Sequence, residues 1–127
     1  MILLQYIAVG LGGALGSIIR IYLSKTLALT IFGIPFQLLA VNVLGSFIMG
    51  ILTQLASLYW LESENIKYFL ISGLLGGFTT FSGFALDFGL LIEQEKYMPA
   101  IFYVMLSVGL SLSCFFLGLK ITKLFTI

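Results

Sequence analysis

Histidine is missing from this 127-residue chain, and cysteine occurs once. Four of its five acids flank apolar runs, so without His one chain cannot assemble a catalytic triad or a His/Cys metal site. The same absence removes the side chain that changes charge near neutral pH. Cys114 has no intrachain disulfide partner and, inside an apolar run, reads as a space-filler. Charge is scarce: 9% of residues are Asp, Glu, Lys or Arg, where soluble domains carry about a quarter. A net charge of +1 offers no basic face for nucleic acid. What the chain does have is apolar surface. With 61% hydrophobic residues and a mean hydropathy of +1.19, it reads as an integral membrane protein whose solvent is the lipid bilayer.

Charge-free runs mark the expected crossings. Residues 2–19 carry no charge and, continued past Arg20 by residues 21–23, make a first span of about 20 residues. The run lacks the basic leader and cleavage-like site of a secretory signal, so it is expected to stay in place. Residues 26–61 are uncharged and too many for one crossing; Gly33 and Pro35 supply a loop before a second span at about 36–58. A third span is expected at about 67–92, a solvated turn at Glu93-Gln94-Glu95-Lys96, and a fourth helix with Pro99 in its first turn, running to about residue 119. The reading is all-α: a single four-span membrane domain covering residues 1–127, multi-pass in the cell membrane.

The third span contains Gly76-Gly77-Phe78-Thr79-Thr80-Phe81-Ser82-Gly83-Phe84, which a plain crossing does not need. Each glycine weakens a helix by about 1 kcal/mol, and the threonine hydroxyls compete for backbone partners. A helix broken within this stretch and resuming at about Thr80 is expected. Irregular backbone at membrane depth survives only inside protein or beside a polar cavity, so a break there points to an ion or solute site. Phe81 and Phe84, three residues apart, would share the face that looks into it.

Orientation should follow Lys and Arg, which collect on the cytoplasmic side. With four spans, Lys67, Lys120 and Lys123 share one side and Arg20, Lys25 and Lys96 the other. Three against three gives no preferred orientation. Either the chain inserts both ways and pairs as an antiparallel homodimer, or finer details fix one orientation.

Helix faces add polar detail. Gly12 and Gly16 form a G-x-x-x-G pair suited to close helix packing. Asn42, Ser46, Gly50 and Thr53 share a stripe on span two, and Tyr103, Ser107 and Ser111 recur at four-residue steps on span four. These hydroxyls either bond back to their own helices or form a polar track with Asn42. Arg20 either snorkels to the interface or makes a vestibule positive. Asp87 reads as an interfacial or paired residue. The first span holds no acid of the kind a proton-coupled exporter of cationic drugs would use. A solute meeting hydroxyls, an amide and the positive edges of phenyl rings should be small and anionic or neutral. Such weak donors release what they bind, as conduction requires.

Three ordered motifs then carry a resemblance. Gly12-Gly13-Ala14-Leu15-Gly16-Ser17-Ile18-Ile19-Arg20 is similar to a G-G-x-x-G-x-x-x-R pattern. Val41-Asn42-Val43-Leu44-Gly45-Ser46-Phe47 is similar to V-N-x-x-G-S-F. The stretch from Gly73 to Phe84 is similar to G-x-x-G-G-x-T-T-F-S-T-F. On these the chain resembles the Fluc/CrcB family of fluoride channels over essentially its whole length. The resemblance implies an antiparallel, dual-topology homodimer with two pores passing fluoride ions. It also implies a central structural sodium ion held by backbone carbonyls, here those of Gly76 and Thr79. Phe81 and Phe84 would be the pore phenylalanines, Asn42 the vestibule amide, and Tyr103, Ser107 and Ser111 the polar track. Gly83 departs from the usual Thr, and Phe115 stands where some members continue the hydroxyls. The functional expectation is a passive fluoride-selective channel, not an enzyme; its rivals are a coupled exporter of another small ion or solute and a non-transporting membrane subunit.

Overall fold

In lipid every backbone polar group needs a partner within the protein, so long charge-free runs become helices. A computed structural model describes residues 2–58 and 64–126, and among them four helical stretches are long and apolar enough to cross a membrane. Helix α1 (Ile2–Thr26) leads through a short hairpin, β1 (Thr30–Ile31) and β2 (Ile34–Pro35), into α2 (Phe36–Leu58). The third crossing comes in pieces: α3 (Glu64–Lys67), a π-helical segment (Tyr68–Leu75), α4 (Gly76–Phe78) and α5 (Phe81–Glu93). Helix α6 (Tyr97–Thr126) completes the bundle. The end of the uncharged run at residue 61, and Glu62 before the third span, lie outside the described residues.

Helices α1 and α6 overrun their expected ends at residues 23 and 119, reaching Thr26 and Thr126. Lys25 and Lys123 lie in those last turns, where a cation complements the helix dipole and a long stem lets the charge reach water. The hairpin is an element the sequence did not announce. Phe32 (φ 53°) and Gly33 (φ 82°) both take left-handed conformations, the geometry of a tight two-residue hairpin turn. Gly33 has a second reason to be glycine, since a Cβ there would fall 3.1 Å from Pro99 Cγ at the start of α6.

Backbone-to-backbone approach organises the bundle. Gly12 and Gly16 are buried where α1 meets the third crossing; a Cβ on either would overlap the carbonyl oxygen of Phe69 or Leu74. The G-x-x-x-G pair is therefore a packing surface. Helices α2 and α6 meet in the same manner, Gly50 lying on the Phe115 carbonyl and Gly118 on that of Phe47. Replacing Gly16 with Leu should cost about 3 kcal/mol or more, because backbone cannot yield as side chains do. Gly109→Ala, where nothing lies within 4 Å, should be tolerated; thermal unfolding in detergent compares the two.

The interruption falls on the threonines of the expected stretch and not on its glycines. Gly76 and Gly77 both lie in α4, with Gly76 at φ −63°, ψ −37°. Gly77 is small because a Cβ would sit 2.5 Å from Gly13 O. The chain leaves the helix two residues later, at Thr79 (φ −89°, ψ 155°) and Thr80 (φ −150°, ψ 121°). Extended backbone suits these β-branched residues.

Candidate functional site at the interrupted helix

Two extended residues strand the backbone groups on either side, and side chains from α1, α2 and the two threonines themselves meet most of them. Thr80 Oγ1 accepts from Gly83 N at 2.9 Å and so caps α5. Thr79 N and Oγ1 both donate to Leu75 O, at 3.0 and 2.9 Å. Asn42 on α2 clamps Thr80 twice: its Oδ1 accepts from Thr80 N at 2.8 Å and its Nδ2 donates to Thr80 O at 3.1 Å. From α1, Arg20 Nε donates to Gly77 O at 3.0 Å, and Ser17 Oγ approaches the same oxygen at 3.5 Å. Among the described residues these bonds leave the carbonyl oxygens of Gly76 and Thr79 without a protein donor, since Thr80 N turns to Asn42 and Gly83 N to Thr80.

A cavity of about 410 Å³ opens beside the interruption, with Asn42, Ser46, Thr79, Phe81, Phe84, Ser107 and Ser111 in its wall. Phe84 is buried and tilted against Phe81, with ring centroids 5.4 Å apart and planes at 48°. Phe81 is 77% exposed in the single chain. Ser107 Oγ is buried with no hydrogen-bond partner among the described residues, a state that costs about 1–3 kcal/mol unless something else accepts or donates. The wall thus brings together hydroxyls, the Asn42 amide and two phenyl rings, and among the described residues it contains no charged side chain.

The sequence-expected residues divide. Asn42, Thr79, Phe81, Phe84, Ser107 and Ser111 come together at the cavity. Tyr103 lies behind it, fully buried, with its ring 5.1 Å from that of Phe84. Its hydroxyl donates to Asp87 Oδ2 at 3.0 Å, so Asp87 is paired. Arg20 and Gly76 are absent from the cavity wall. Thr53 leaves the span-two stripe, its Oγ1 bonding back to Met49 O at 2.7 Å.

Both departures from the family pattern have a spatial basis. A Cβ at Gly83 would lie 2.9 Å from both Leu38 Cδ1 and Thr80 Cγ2, so a larger residue there requires Leu38 to move. Phe115 joins the cavity wall at the four-residue step after Ser111.

Residues 7–119 match the family model described as CrcB-like protein, Camphor Resistance (CrcB). The protein named fluoride-specific ion channel FluC from Rhizobium etli (strain CFN 42) is 39% identical over 95% of this chain and 98% of its own length. The protein of the same name from Rhizobium meliloti (strain 1021) is 43% identical, covering 91% of this chain and 93% of itself. That from Parabacteroides distasonis is 41% identical over 89% and 88%.

Proposed function

The chain belongs to the CrcB-like family, and from that premise we propose that it is a fluoride-selective ion channel through which the ion leaves the cell passively, down its gradient. It is a multi-pass membrane protein, and its family is one of channels rather than enzymes. The observation that carries this reading is the cavity at the helix interruption, where phenyl rings and hydroxyls rather than charged side chains line the described wall. An arginine-lined site would hold an anion too tightly to conduct; dispersed weak donors bind and release it. Phe81 and Phe84 would face the ion with their ring edges, with Ser107, whose hydroxyl is otherwise unpartnered, and Ser111 extending the donors along α6. Tyr103 would act from behind, backing Phe84.

The working unit would be an antiparallel homodimer with two pores. Phe81, largely exposed in one chain, would then be covered by the second copy. The same pairing would bring two interruptions together. Gly76 and Thr79 fit a sodium ion there, since their carbonyl oxygens lack donors and two chains would supply four hard oxygen ligands. A bound cation would supply fixed positive charge and pin the two interruptions to each other.

Asn42→Leu should cut fluoride flux and lower the unfolding temperature together. It strips Thr80 N of its partner and Thr80 O of its bond from α2, and an amide left unpaired away from water costs about 1–3 kcal/mol. Efflux from liposomes and thermal unfolding of the same preparation measure the two effects. The proposed function itself is tested by liposomes loaded with fluoride or chloride and no proton or sodium gradient. Rapid release of fluoride but not chloride supports the channel; release only when a gradient is imposed makes it a coupled exporter.

A further inference from the structure

Arg20, the sole arginine of the chain, was open to two roles, snorkelling to the interface or making a vestibule positive. The geometry points to a third: Arg20 is a positioning residue that holds the end of α4, fixing the break from α1 as Asn42 does from α2. This rests on the channel reading for its functional consequence, but not for its structural one.

Ordinary helical pairing would give Gly77 O to Phe81 N, four residues on. The extended backbone at Thr79 and Thr80 removes that donor. Arg20 Nε supplies one at 3.0 Å, reaching across 57 residues of sequence from a half-buried position on α1. A carbonyl at a helix C-terminus carries the negative end of the dipole, so a charge-assisted bond is the strong choice there. Without it only the long contact from Ser17 Oγ, at 3.5 Å, faces that carbonyl at membrane depth, where water cannot repair the loss. Gly77 O lies between the two carbonyls assigned to the cation, those of Gly76 and Thr79. Whatever fixes Gly77 therefore fixes the direction in which its neighbours point. Asn42 holds Thr80 from α2, and Arg20 holds Gly77 from α1. The two clamps bracket Phe78 and Thr79 and set where Phe81 begins α5.

Side-chain topology separates positioning from charge. Glutamine places its Nε2 at the branch depth of Arg Nε and keeps a donor without charge. Lysine keeps the charge but puts a methylene at that depth, and methionine has neither. Fluoride efflux from liposomes should follow Gln above Lys and Met, with Arg20→Gln within about threefold of the unaltered protein and Arg20→Lys and Arg20→Met at least tenfold slower. The order should hold at about 1 M salt, where the screening length is about 3 Å and a steering charge no longer acts. Lys matching or exceeding Gln overturns the assignment in favour of electrostatic attraction.

A second measurement does not depend on conduction. Because there is one arginine, 15Nε-arginine labelling reports a single site, and 13C-carbonyl labelling of glycine places the partner. Solid-state dipolar recoupling in lipid should show an Nε to glycine carbonyl carbon distance of about 4 Å, as a hydrogen bond to that oxygen requires. Absence of a glycine carbonyl at that range overturns the proposal whatever the flux data show. Failure of the channel reading appears instead as an unaltered protein that does not conduct, with the dipolar contact intact.

Discussion

Phe81→Ile and Phe84→Ile should each slow fluoride efflux at least tenfold, about 1.4 kcal/mol in the barrier, while the protein still folds. Isoleucine keeps bulk and apolar character and removes only the ring edge, so the substitution isolates the anion-on-aromatic contact. The two positions should differ in what else they change. Phe84 is buried in a cluster with Leu39, Leu91 and Tyr103, so its loss should also lower the unfolding temperature. Phe81 is mostly exposed in one chain, and its substitution should leave single-chain stability near that of the unaltered protein. Efflux with a parallel melting curve reads both. Normal conduction by both variants would remove the phenyl edges from the mechanism.

Orientation carries the other large effect. Dual insertion requires each chain to enter the membrane both ways at similar frequency, and the even split of Lys67, Lys120 and Lys123 against Arg20, Lys25 and Lys96 leaves the balance easy to tip. Two additional lysines in the segment 64–67, none of whose residues lines the cavity, should bias every copy one way and abolish fluoride efflux. Co-expression with a partner carrying two lysines added beside Lys96 should restore it. Uniform insertion of the singly biased protein with full conduction would exclude the antiparallel dimer, and a parallel or monomeric pore would replace it.

Much of the architecture was legible because lipid leaves few solutions. A charge-free run of sufficient length has to be helical, so the four crossings followed from where residues 20, 25, 62–67 and 93–96 place their charges. Less legible was the work that glycine does. Gly76-Gly77 reads as a weak point in a helix, yet both residues stay helical and Gly77 serves the close approach of Gly13. The departure falls on Thr79 and Thr80, and it is stabilised by Asn42 and Arg20 from 38 and 57 residues away. A sequence displays those polar side chains but not the backbone atoms that will receive them, which is why the bonds of Asn42 to Thr80 and of Arg20 to Gly77 could not be read from it. The partner of the Tyr103 hydroxyl was illegible for the same reason. Its spacing with Ser107 and Ser111 suggested one track, while its partner proved to be Asp87 on the facing helix. The hairpin between α1 and α2 escaped notice because two-residue strands carry no periodicity to detect.

The central claim, passive and selective passage of fluoride, is most directly tested by recording single-channel currents from the purified protein in a planar bilayer under a fluoride gradient. Current should reverse at the fluoride equilibrium potential, about 59 mV for a tenfold gradient of a monovalent ion. It should stay there when chloride, proton or sodium gradients are imposed in turn. A reversal potential that follows chloride would contradict selectivity. One that shifts with a proton or sodium gradient would contradict passive conduction.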